Sequence, residues 1–164
     1  MKYCLLLLLT LTGAYAMFGS DKDFITSAAD GGKLEVELGQ KAQEKAASGE
    51  VKKLAAMIVQ DHTRANAELA TLASTKGVTL DSNLSMKSRA KVAKMSLHSG
   101  DGFDKAYIAA MVDDHKEDIL AFQQASVSAQ DPAVRKFAEK MLPTLRNHLE
   151  KAVALQREYA SAGR

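Results

Sequence analysis

Along four long stretches of this chain apolar residues recur at every third and fourth position, and only two prolines occur in 164 residues. That period places the apolar side chains on one stripe of a helix, whereas a half-buried strand would need strict alternation. Alanine, leucine, lysine, glutamate and glutamine fill the positions between, all strong helix formers. The sequence therefore predicts an all-α fold without strands.

The first stretch runs from about Asp23 to Ala47, with Phe24, Ala28, Leu38, Ala42 and Ala46 on its stripe, and Ser48-Gly49 as a stop and tight turn. The second runs from about Glu50 to Lys76 and ends at Gly77, so the two form a helical hairpin. Residues 77 to 101 mix loop signals with a shorter amphipathic piece from about Leu84 to Leu97, on which Met86, Ala90, Ala93 and Leu97 align. A third long helix starts near Phe103, after Gly100-Asp101-Gly102. The fourth starts with Asp131 as N-cap and Pro132 at its first position, a strong start signal. Setting Phe24 against Phe103 aligns Glu35 with Asp114, and Val51-Lys52-Lys53-Leu54-Ala55 matches Val134-Arg135-Lys136-Phe137-Ala138, a faint internal repeat. Two related hairpins joined by a crossover form the plan of a ferritin-like four-helix bundle.

Residues 1–16 have the pattern of a cleavable signal peptide: Lys2, then the apolar run from Leu5 to Leu11, then Ala14-Tyr15-Ala16 as a small-x-small site. The run falls short of the roughly 20 residues a membrane span needs. Cleavage after Ala16 would leave a short tail, residues 17–22, then a bundle over residues 23–160, with no transmembrane span and a periplasmic or secreted location. The leader takes the single cysteine, Cys4, so disulfides, thiolate ligands and a cysteine nucleophile are excluded from the mature chain. Of 22 basic and 20 acidic side chains it removes only Lys2, and that near balance argues against a nucleic-acid partner.

The informative residues are those that break the apolar stripes. Glu35 lies on the inner face of the first helix, His62 on the second, His115 on the third and His148 on the fourth. Each stands 13 to 16 residues from its helix start, roughly 20–24 Å along a rod of 1.5 Å rise per residue, near mid-height in every helix. The four can meet in one layer, with Asp61, Asp114 and Asp118 close enough to join or support it. Neutral imidazoles with a carboxylate suit Zn, Fe, Mn or Cu, and further carboxylates on the free ring N–H would orient the rings. The same residues can instead form a buried hydrogen-bonded network that fixes helix register.

Di-iron bundles place Glu three residues before His on two helices. Here Val59, Val112 and Leu145 hold those positions, which argues against a ferroxidase centre. No nucleophile elbow, phosphate loop or zinc-protease helix occurs, so no catalytic residue is assigned. Pro143 should bend the fourth helix, Gly31-Gly32 point to close packing or a break, and His98 reads as a surface residue. Lys87, Arg89, Lys91 and Lys94 give the crossover piece a basic face able to dock on anionic lipid or a protein.

From Phe24 to Leu155 the chain resembles the exported bacterial proteins grouped as domain of unknown function 4142. The stretches that carry the resemblance are Glu35-Val36-Glu37-Leu38-Gly39, the segment from Met57 to Leu69, Phe103-Asp104-Lys105-Ala106-Tyr107 leading to His115, and Leu142-Pro143-Thr144-Leu145 before His148. The resemblance implies export and a ferritin-like bundle, and brings no settled activity. Two function classes follow: a bundle that holds a transition metal through Glu35, His62, His115 and His148 with Asp61 and Asp114, or a non-enzymatic structural or stress-related interaction protein of the cell envelope.

Overall fold

A computed structural model describes residues 19–163. The leader and the first residues of the tail lie outside them. The helices are α1 (Asp21–Lys45), α2 (Gly49–Thr75), α3 (Met86–Ser96), α4 (Gly100–Ser128) and α5 (Pro132–Ser161), and no strand occurs among the described residues. Four of the five starts have a side-chain cap. Ser20 accepts from the Asp23 amide, Ser48 from those of Glu50 and Val51, Ser85 from that of Ser88, and Asp131 from that of Ala133 just before Pro132 enters the first turn.

α1 packs along α2 and α4 along α5, and the two hairpins meet through α1 with α4 and α2 with α5. The apolar core is divided. One cluster takes Leu34, Leu38 and Ala42 from α1, Leu54 and Ile58 from α2, Tyr107, Met111 and Val112 from α4, and Ala152, Leu155 and Tyr159 from α5. The other takes Phe24 and Ile25, then Ala65 and Leu69, then Phe122, then Phe137, Met141 and Leu145. Along α1 and α5 the chain passes from the second cluster to the first, and along α2 and α4 from the first to the second. Packed neighbours are therefore antiparallel, and the segment between α2 and α4 must travel the length of the bundle, as a ferritin-like crossover does.

An aspartate at the start of each hairpin closes the turn of the other. Asp104 on α4 accepts from the Ala47 and Ser48 amides at 3.1 and 2.8 Å and from the Tyr159 hydroxyl at 2.6 Å. Asp21 on α1 accepts from the Gln130 and Asp131 amides at 2.9 and 2.7 Å. These satisfy turn amides that no helix can pair. The crossover is held to α1 by Lys33, which donates to the Asp81 and Asn83 carbonyls, and by Asp30, which accepts from the Ser85 amide and hydroxyl and the Ser88 hydroxyl.

Helix α1 needs glycine where it meets α2. A β-carbon on Gly39 would lie 2.6 Å from Val59 Cγ2 and 3.2 Å from the Ala55 carbonyl oxygen, and one on Gly32 would strike the Asn66 side chain. Close packing, one of the two readings of Gly31-Gly32, holds for Gly32, while Gly31 faces open space.

Three expectations are corrected. Gly100-Asp101-Gly102 forms the first turn of α4, beginning at the extended Ser99. On α3 the buried face is Ser88, Val92 and Met95, whereas Met86 and Leu97 of the expected stripe are 81% and 85% exposed. Most of α3 is polar, so several stripes scored alike, and the Asp30–Ser88 bond sets its rotation. Lys91 is turned inward, leaving Lys87, Arg89 and Lys94 as the exposed basic residues of that helix. Pro143 lies inside α5, as the sequence places it.

Candidate metal centre

Glu35, His62, His115 and His148 are all buried, and each sits on its helix where the core passes from one apolar cluster to the other. The layer between the clusters is this set of side chains. Glu35 Oε2 lies 3.0 Å from His62 Nδ1, and Oε1 lies 3.2 Å from His115 Nδ1. Both are ion-pair distances without hydrogen-bond alignment, so the Glu35 oxygens have no directed donor. His115 Nδ1 is also 2.9 Å from the Met111 carbonyl oxygen, Nε2 is 3.0 Å from His148 Nδ1, and His148 Nε2 is 3.1 Å from Asp61 Oδ2.

His62 is different. Its Nε2 is buried with no hydrogen-bond partner. The ring lies edge-on to His115, with centroids 5.8 Å apart, and tilted to His148 at 5.4 Å. One ring nitrogen from each of the three histidines can be chosen so that all lie within 4.8 Å of one another. His62 also lines a cavity of about 20 Å³ with Glu35 and Asp118, enough for a single water-sized occupant.

The expected supports divide. Asp61 reaches the layer and holds His148. Asp114 does not reach the imidazoles: its Oδ1 takes the Lys91 ammonium at 2.6 Å, and its Oδ2 is buried without a partner. Asp118, one turn past Asp114, faces His62 and Glu35 across the small cavity. Tyr107, which the polar pattern did not reveal because aromatics are ordinary core residues, brings a buried, unpartnered hydroxyl within 3.7 Å of the position a Gly39 β-carbon would take.

Burial dominates the electrostatics. It lowers the His62 pKa against the pull of Asp118 and Asp61, and that of His115 against Glu35. It lowers that of His148 against the Asp61 hydrogen bond. It raises Glu35 to about 7, with His115 opposing, and holds Asp118 well above the usual carboxylate range, reinforced by Glu35. At neutral pH the layer thus presents uncharged imidazoles, the form that ligates metals, beside two carboxyls that gain from a cation.

The family described as domain of unknown function (DUF4142) matches residues 9–155. No curated protein matches the chain in sequence. Among solved structures, CopM in its Cu(II)-bound form is similar with a TM-score of 0.72 and 16% identity, over 87% of this chain and 99% of that one. A DUF305 protein from Streptomyces coelicolor gives 0.73 and 15%, over 86% and 93%. A DUF305 fragment from Deinococcus radiodurans gives 0.74 and 15%, over 84% and 95%. At these identities the likeness is one of fold: the bundle is shared.

Proposed function

The chain belongs to the DUF4142 family, a domain of unknown function, and from that premise we propose that His62, His115 and His148, with Glu35 beside them, bind one divalent transition-metal ion in an exported protein. The observation that carries the reading is the His62 Nε2 atom, buried without a partner in a layer where one nitrogen from each of the three imidazoles lies within 4.8 Å of the others. An unpaired buried polar atom costs about 1–3 kcal/mol, a penalty that a ligand-free register device has no need to carry. Three imidazoles and a carboxylate fit Zn, Cu, Fe or Mn, and at a site of fixed donors Cu(II) binds most tightly of these. CopM, a bundle of the same fold, carries Cu(II) in one structure and Ag in another. Asp61 orients His148 as a carboxylate behind a metal-bound imidazole does. Export rests on the leader pattern of residues 1–16.

Elemental analysis of protein purified from its own compartment tests this. One metal ion per chain in the wild type, lost in His62→Ala/His148→Ala, is expected. Equal and negligible metal in both rejects it.

A contact role for α3 is favoured by one observation: Met86 and Leu97 are exposed on the same short helix as Lys87, Arg89 and Lys94. Such a face suits an anionic lipid surface. Charge reversal at Lys87 and Lys94 would abolish sedimentation with anionic vesicles, and unchanged sedimentation rejects the role.

A further inference from the structure

His115 and His148 are fully buried and His62 is 4% exposed, so an ion can reach them only by a defined path. A cleft of about 620 Å³ opens between α1, the segment before α3, α3 and α4. Six carboxyl and three ammonium groups line it, so acidic side chains outnumber basic ones in a chain that is otherwise nearly balanced. Glu35 and Asp118 are the two residues that line both this cleft and the small cavity against His62. Glu35 is 1% exposed and its oxygens, against the His62 and His115 rings, have no directed donor, so the floor of the cleft is a buried carboxyl that borders the histidine layer. The Lys91 ammonium sits in the same cleft on Asp114, and the Asp30 and Lys33 bonds to the crossover keep its outer wall in place.

We infer that this cleft is the inlet by which a divalent cation reaches the histidine layer, with Asp118 handing the ion inward and the Lys91 ammonium opposing its passage. The inference rests on the metal reading above. A concave wall with a net excess of one charge sign concentrates ions of the other sign, with rate gains of up to about 10- to 1,000-fold where one sign lines the whole wall, an effect that falls with salt. Asp118 is mostly buried, lines the cleft and borders the cavity of His62. It is therefore placed to hold an ion that has left the solvent and not yet met an imidazole. The positive charge of Lys91 lies on the same path, so Asp118 and Lys91 should act on the rate in opposite directions.

Stopped-flow absorbance with Co(II) as the probe tests this on the full mature chain, with rates in both directions and the plateau recorded. In Asp118→Asn we expect association slowed about tenfold with the plateau kept, a weaker salt dependence, and recovery in Asp118→Glu. Lys91→Gln should speed association several-fold, and the exposed Glu150→Gln on α5 should leave it unchanged. Wild-type association in Asp118→Asn overturns the inference, as does a change confined to dissociation, which would make Asp118 a ligand. A wild-type chain that binds no Co(II) overturns the metal reading itself, a distinct outcome.

Discussion

His115 Nε2 lies 3.0 Å from His148 Nδ1, the middle contact of a chain that runs from the Met111 carbonyl through both rings to Asp61. Two neutral imidazoles carry two N–H groups, and the line has three places for one. With both rings neutral, as burial holds them, one of the three contacts has no proton to share. A cation bound by the facing nitrogens would remove that conflict.

The pH dependence of stability in the metal-free protein follows from this. His62, His115 and His148 have folded pKa values below the ordinary 6.5, so their stabilising contribution is present above that value and lost as pH falls through it. Glu35, raised to about 7, and Asp118 act the other way, contributing below their unfolded values and losing that contribution as pH rises. Between about pH 5 and 6.5, where unfolded histidines lose their protons, three imidazoles oppose two carboxyls, so the metal-free protein should gain stability as pH rises. Urea unfolding of chelator-treated protein at intervals across that range measures the slope, and a fall with pH contradicts the account.

Removing the unpartnered imidazole and removing a used carboxylate should differ in sign. His62→Leu deletes a buried nitrogen with no hydrogen bond and should stabilise the metal-free protein by about 1 kcal/mol while abolishing metal binding. Asp61→Ala leaves His148 Nε2 without its partner and should cost about 1 kcal/mol, limited because Asp61 is 26% exposed and water can replace it. Thermal unfolding of both variants after metal removal distinguishes them.

Gly39 tests the packing that brings Glu35 to His62. Gly39→Ala places a methyl against Val59 and the Ala55 carbonyl and should destabilise by about 1–3 kcal/mol. Adding Val59→Ala relieves one contact and leaves the backbone one, so denaturant midpoints should show partial rescue.

Asp104 should matter more than its hydroxyl partner. Asp104→Ala strands two turn amides and the Tyr159 hydroxyl at once, for an expected loss of about 3 kcal/mol, whereas Tyr159→Phe removes one donor, for about 1 kcal/mol. Calorimetric melting of the two variants gives the comparison.

Much of this could be seen in the sequence for a physical reason. Helical period and mid-height spacing are local arithmetic, and they bring Glu35, His62, His115 and His148 to one level of the core. What stayed hidden depends on rotation about a helix axis or on a distant partner. The face of α3 was set by the Asp30–Ser88 bond across 58 residues, and polar α3 had no apolar stripe strong enough to announce it. Asp114 and Asp118 are one helical turn apart, and spacing alone favours Asp114 as the support. Lys91 claims the first, and the cavity beside His62 meets the second. Asp104 is buried in the core, and nothing local in the sequence points to the turn amides it closes.

The central claim is that the histidine layer holds a metal ion, and anomalous diffraction from crystals of the protein grown with Zn(II) tests it most directly. The account predicts one strong peak inside the bundle, about 2.0–2.1 Å from a ring nitrogen of each of His62, His115 and His148. Peaks confined to the surface, with the three rings keeping the hydrogen bonds of the metal-free layer, would contradict it.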